Sequence, residues 1–159
     1  MESNKMTLLK QRPQAKYTCI KRTVFLLLLL FCFTSSFAQS GESSKITGTY
    51  FTENNKAKVA ITQSGNKYIG TLIWTNIPNA LDKNNPDKNQ HQNKLVGKVI
   101  LKDVEYSGDN EWKKGKIYDP ESGKTYNCTI TLDNKGNLKV RGFVGFSLLG
   151  RTTVWTKTK

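Results

Sequence analysis

The side chains that could do chemistry in this sequence are few and poorly placed for it. His91 is the sole histidine, and it stands between Gln90 and Gln92 in a polar stretch that reads as solvated loop. Cys128 shares a face with Tyr126, Ile130 and Leu132. A free cysteine on such a face behaves as a small hydrophobe, and nothing nearby in sequence would stabilise its thiolate. A Cys128–His91 pair would have to join a core position to an exposed loop. Asp103 and Glu105, and Asp109 with Glu111, are spaced like solvated carboxylates on hairpins. No His/Cys cluster has zinc-ligand spacing. Neither a phosphate-cradling glycine loop nor a nucleophile elbow occurs. The expectation is a protein that is not an enzyme, with no catalytic residue, no metal and no cofactor.

Aromatic side chains are plentiful instead: Tyr68, Trp74, Trp112, Tyr118, Tyr126, Phe143, Phe146 and Trp155. Such residues either fill a core or line an apolar pocket with a few polar tips. If a pocket exists, Tyr68, Trp74, Tyr118, Tyr126 and Phe143 are its candidate lining. Lysines cluster at Lys113, Lys114 and Lys116 and again at Lys135 and Lys139. They suit an anionic surface or an acidic partner, although a charge of this size also serves solubility. Basic residues interleaved with aromatics permit single-stranded nucleic-acid binding, but the leader described next argues against it.

Residues 1–38 have the order of a secretory leader. Lys10, Arg12, Lys16, Lys21 and Arg22 precede an apolar run from Val24 to Phe33, and Ser36-Phe37-Ala38 fits cleavage after Ala38. A spanning helix needs roughly 20 apolar residues, about twice this run, so no membrane anchor is expected after processing. Cys32, preceded by Leu30 and Phe31, lacks the small residues of a lipid-anchor site. The remaining chain, residues 39–159, has the length of one domain. It carries 19 basic and 11 acidic side chains, a net charge of +8, and its one cysteine excludes an internal disulfide. Periplasm or extracellular space is the expected location, and a monomer the expected state.

The elements that must position these residues are strands. Ile46–Phe51, Ala57–Gln63, Lys67–Thr75, Leu95–Tyr106, Glu111–Tyr118, Lys124–Leu132, Leu138–Val144 and Thr152–Lys157 show apolar alternation or strand-rich composition. Ser64-Gly65-Asn66, Ser107 to Asn110, Asp119 to Gly123 and Asp133 to Asn137 are turn sequences between them. Residues 76–94, with Pro78, Pro86 and many Asn, Asp and Lys residues, read as a long exposed loop. No helical apolar period occurs after the leader. About eight short strands joined by hairpins must close into a barrel or stack as a sandwich. Sequential hairpins predict an all-β, antiparallel up-and-down barrel. Its interior is either filled by side chains or holds one small ligand.

A specific string runs through the second half: Gly115-Lys116-Ile117-Tyr118-Asp119-Pro120, Gly123-Lys124-Thr125-Tyr126, Val140-Arg141-Gly142, Leu149-Gly150-Arg151-Thr152 and Trp155, with Gly65, Tyr68 and Gly70 upstream. The chain resembles the family of exported bacterial proteins known as domain of unknown function 2147. The resemblance implies a lipocalin-like (calycin) β-barrel in the cell envelope and brings no established activity. Calycins commonly open with Gly-x-Trp, whose indole closes the barrel base against a basic residue of the last strand. Here the matching place reads Gly48-Thr49-Tyr50, so the resemblance implies closure by Tyr50 with Arg151 through a cation–π contact. Arg141 alternates with Leu138 and Val140 and is expected on the surface, unless a bulge at Gly142 reverses the register. The expected partners are a small apolar ligand in the barrel or, if the barrel is filled, an anionic envelope component bound through the lysine patches.

Overall fold

The computed structural model describes residues 39–158. The leader, its cleavage point and the boundary at residue 38 lie outside the described residues. A short helix α1 (Gln39–Ser43) runs into a 3-10 turn at Ser44–Ile46. Eight strands follow: β1 (Gly48–Phe51), β2 (Ala57–Ser64), β3 (Lys67–Thr75), β4 (Val99–Gly108), β5 (Glu111–Asp119), β6 (Lys124–Leu132), β7 (Leu138–Phe143) and β8 (Arg151–Lys157). Each pairs antiparallel with its neighbours in chain order, and β8 closes on β1 through Tyr50↔Lys157 and Phe51↔Thr156. The all-β up-and-down barrel expected from the hairpins is therefore the observed fold.

The connections sort to two ends. The tight turns β2–β3, β4–β5 and β6–β7 share one end with the N-terminal segment. Ile46 is fully buried there, and the Trp112 indole donates to the Ser43 carbonyl at 3.2 Å. The opposite end, called the rim here, carries the connections 52–56, 76–98, 120–123 and 144–150.

Inside, Val59, Ile61, Tyr68, Leu101, Val104, Trp112, Cys128, Ile130, Leu138 and Val140 are part of one buried core. Two wall positions carry no side chain because none fits. A Cβ on Gly70 would stand 2.8 Å from Leu101 Cβ, and one on Gly115 would stand 2.6 Å from Cys128 Sγ and 2.8 Å from Val104 Cγ2. The middle of the barrel is thus filled to contact, one of the two outcomes open to eight strands.

The strand registers shift at five places, and three of these shifts bear on which way the residues discussed here face. Between β2 and β3, Val59 pairs Leu72 but Lys58 pairs Trp74, which leaves Ile73 as an extra residue. Within β4, Leu101 pairs Gly70 and Val104 pairs Tyr68, with Asp103 at φ 56°. Within β5, Trp112 pairs Ile130 but Gly115 pairs Cys128, with Lys114 at φ 60°. Such bulges re-aim side chains across the sheet.

Three candidate lining residues are corrected accordingly. Trp74 is displaced by the Ile73 bulge to the outer face, 41% exposed, packed edge-on to Phe51 with the Lys58 ammonium between them. Tyr118, which counting from Trp112 places inside, is moved outside by the Lys114 bulge. Phe143 faces outward opposite Asn127, because β6 and β7 pair without a shift. Tyr68 and Tyr126 do face the interior. The Tyr50–Arg151 closure is also corrected. Tyr50 is buried at the barrel base, but Lys157 holds its Nζ 5.9 Å from the ring centroid. Arg151 begins β8 at the other end, with its guanidinium on Glu53 at 2.8 Å.

Gly115→Ala is expected to cost roughly 1–3 kcal/mol, because the new methyl has no room in a packed wall. A urea melt checks it, and an unchanged midpoint would show that the barrel middle is looser than described.

Candidate functional site

The long β3–β4 connection does not stand free, contrary to its polar composition. It folds onto the barrel around Asp82, whose carboxylate is fully buried. Asp82 accepts from the Tyr118 hydroxyl, from Asn85 Nδ2 at 2.6 Å and from the Lys98 ammonium at 2.7 Å. Lys98 also sits 4.8 Å from the centroid of the Tyr118 ring. Burial alone pushes the Asp82 carboxyl upward, and the bonds from Lys98, Tyr118 and Asn85 outweigh that and hold it below the usual carboxylate range. The Tyr118 hydroxyl is pushed well above its ordinary value by desolvation and by its bond to Asp82. Farther along, Asn84 donates to the Pro120 and Glu121 carbonyls at 3.2 and 2.9 Å. Its own carbonyl lies 1.8 Å from where a Cβ on Gly123 would be, so only glycine, here at φ 69°, allows the loop to close on the β5–β6 turn. His91 Nε2 bonds the Asn85 carbonyl at 2.8 Å, which ties the lone histidine into the loop.

The rim end of the interior is less filled than the middle. Ala57, Ile117, Tyr126, Gly142 and Thr153 face inward there and are only partly buried. A Cβ on Gly142 would meet Tyr126 Cβ at 3.7 Å and Ile117 Cγ2 at 3.8 Å, ordinary contact distances, in contrast to Gly70 and Gly115. The Tyr126 hydroxyl reaches Ser122 Oγ at 3.4 Å, and Ser122 donates to Asp119 at 2.6 Å. Above this layer the Lys56–Glu121 ion pair, 2.6 Å, joins connections that stand four strands apart, so it crosses the mouth. Deeper in, the hydroxyls of buried Tyr50 and Tyr68 have no hydrogen-bond partner among the described residues.

Cys128 lies in the core, and burial pushes its thiol up to about 12, the opposite of what a nucleophile needs. Arg141 is on the outer face, as the alternation required. It donates from Nε to the Ser147 carbonyl at 2.8 Å, from Nη2 to the Leu148 carbonyl at 3.2 Å and from Nη1 to Thr152 Oγ1 at 3.0 Å. Two clefts stand out, and both are on the outer wall. One of about 340 Å³ includes Lys67, Ile69, Val99 and Asp103. The other, of about 370 Å³, lies between the Asp82 loop and β4–β5, with Lys98, Lys102 and Lys116 in its walls. Lys102 and Lys116 pair directly across β4 and β5. Among the described residues, no group of three or more His, Cys, Asp or Glu could hold a metal ion.

Sequence reasoning missed two features. Asp82 was hidden among the polar residues of its loop, and only its place after Ala80 and Leu81 hinted at burial. The β7–β8 loop, with Val144, Phe146, Leu148 and Leu149 exposed, was legible as an apolar run where a hairpin turn should be polar.

A small closed barrel of eight antiparallel strands, with a plugged base and a rim of loops, is the lipocalin type of β-barrel. Protein HP1028 from the human pathogen Helicobacter pylori, described as belonging to the lipocalin family, is similar in structure. The TM-score is 0.67 with 23% sequence identity, over 72% of this chain and 83% of that one. The chain belongs to the bacterial family described as "Uncharacterized protein conserved in bacteria (DUF2147)", whose profile matches residues 48–157. A comparison with curated proteins found no match.

Asp82→Asn is expected to destabilise the protein by roughly 2–3 kcal/mol, because it strands the Lys98 ammonium and weakens the acceptor of Tyr118. The folded-state pKa of Asp82 is depressed. Its contribution is therefore complete above the unfolded value of about 4 and is lost as pH falls through the folded value. The difference in melting midpoint between wild type and Asp82→Asn should shrink on acidification below that point. A gap that stays constant into acid contradicts the assignment.

Proposed function

We propose that the protein is an exported, non-enzymatic binding protein of the cell envelope that takes a small apolar ligand in the rim layer of its barrel. The observation that carries this reading is the gradient of packing along the interior. The layer of Gly70 and Gly115 rejects even a methyl group, whereas the layer of Gly142, Tyr126 and Ile117 accepts one at contact distance. The half-buried groups around it are apolar, with the Tyr126 hydroxyl as a polar tip, the composition usual for a small-molecule site. The Lys56–Glu121 pair across the mouth restricts the ligand to a small one. Export is supported by the leader-like order of residues 1–38, and the lipocalin-like fold suits ligand binding.

A second reading, surface binding of an anionic envelope component by a filled barrel, is favoured by one observation. Lys102 and Lys116 stand opposite each other beside Lys98 in the outer cleft. Like charges in that position repel; Asp103 beside them offsets part of that repulsion, and a bound anion would offset the rest.

Native mass spectrometry of the protein purified from a bacterial periplasm without detergent tests the first reading, with Gly142→Leu as the blocked variant. Wild type should carry an adduct that denaturation releases. Gly142→Leu should fold with a similar melting midpoint and lose the adduct. Adduct-free wild-type protein, or an adduct equally held by Gly142→Leu, would remove the rim-layer site.

A further inference from the structure

We propose that the β7–β8 loop, residues 144–150, is a membrane-docking tip that seats the rim of the barrel on an anionic lipid bilayer. The inference does not depend on whether the rim layer holds a ligand. Val144, Phe146, Leu148 and Leu149 are 71–88% exposed, while every large apolar side chain of the barrel core is almost fully buried. Four such residues within six positions, on a loop rather than a core strand, form an apolar surface that water disfavours and that marks an interaction site.

Part of the loop backbone at the tip is already hydrogen-bonded within the protein. Ser147–Leu149 form a 3-10 turn in which Leu149 N donates to the Phe146 carbonyl at 3.3 Å and Gly150 N to the Ser147 carbonyl at 3.2 Å. The carbonyls of Ser147 and Leu148 also accept from the Arg141 guanidinium. Polar backbone groups resist transfer toward lipid unless they are satisfied within the protein, and these already are. Gly145, at φ 67°, turns the chain so that the tip projects from the strand ends.

The occupant is argued from size and charge. A stable protein–protein interface buries roughly 1,200–2,000 Å². Four side chains on one protruding turn supply only a fraction of that, at roughly 150–250 Å² for the aromatic. A bilayer takes a convex tip without a matching groove. Arg141 at the base of the loop already holds the loop carbonyls and Arg151 directly after it is paired with Glu53, so the attraction to an anionic surface rests mainly on the net charge of +8 carried from residue 39 onward. Basic residues beside a shallow apolar anchor are attracted to anionic headgroups. Among the described residues no helix is long and apolar enough to cross a membrane, so a tip of this kind would act peripherally.

The chain expressed with its own leader and purified after export is mixed with vesicles of phosphatidylethanolamine and phosphatidylglycerol in equal parts, or of phosphatidylcholine alone, and sedimented. Wild type should sediment with the anionic vesicles. The triple variant Phe146→Ser, Leu148→Ser, Leu149→Ser should lose that binding by about tenfold or more, with an unchanged melting midpoint because these side chains touch no core. Phe146→Trp should add a blue-shifted emission on vesicle addition that the other tryptophans do not give. Three results overturn the proposal. Wild type fails to sediment; or the triple variant sediments as wild type does, which leaves charge alone as the cause; or the triple variant changes only the protein's own association state, which makes the loop a contact between copies.

Discussion

Everything in this molecule follows from closing eight short antiparallel strands at a girth the interior side chains can just fill. At that girth the wall has no spare volume. Leu101, Val104 and Cys128 lie so close to the facing backbone that Gly70 and Gly115 are the residues that fit opposite them. Tyr50, Trp112 and the aliphatic residues of β2, β4, β6 and β7 complete the packing. Cys128, the single cysteine among the described residues, is buried and unpaired, so no disulfide ties those residues together. Closure, contact packing and the ladder hydrogen bonds carry its stability. The same constraint bears on the proposed ligand, because a barrel filled in the middle can offer one only its rim.

Filling also forces irregularity, and irregularity is what a sequence conceals. The number of strands, their order and nearly all of their boundaries were legible from alternation and turn residues. The facing of Tyr68, Tyr126, Cys128 and Arg141 followed from parity alone. Trp74 and Tyr118 did not, because one extra residue in β3 and another in β5 exchange the two faces. Those bulges carry no glycine or proline; Ile73 and Lys114 look like ordinary strand residues. Phe143 differs: its parity already pointed outward, and it could line the interior only through a reversal at Gly142 that the β6–β7 ladder does not contain. Closure of the base was legible in kind, as a basic side chain from the last strand near Tyr50. The register between β1 and β8 chose Lys157 rather than Arg151.

The motif string in the second half has a packing explanation. Gly115 and Gly70 make room for core side chains, Gly123 admits the Asn84 carbonyl, and a Cβ on Gly150 would lie 2.6 Å from the Gly142 carbonyl. Arg141 ties down the β7–β8 loop, and Tyr118 anchors the β3–β4 loop through Asp82. Gly123, Gly150, Arg141 and Tyr118 thus shape the connections at the rim. The polar composition of residues 76–94 suggested a free loop because Asp82 is buried by its partners Lys98, Tyr118 and Asn85, two of which lie on or beside distant strands. No local pattern encodes such a network.

The account stands on a barrel that is solid in its middle and open to a small apolar group at its rim. Crystals equilibrated with xenon test this most directly, since xenon occupies apolar voids without needing hydrogen bonds. Xenon beside Gly142, Tyr126 and Ile117, with none between Gly70 and Gly115, is the predicted result. Xenon in the central layer, or none anywhere within the barrel, would contradict it.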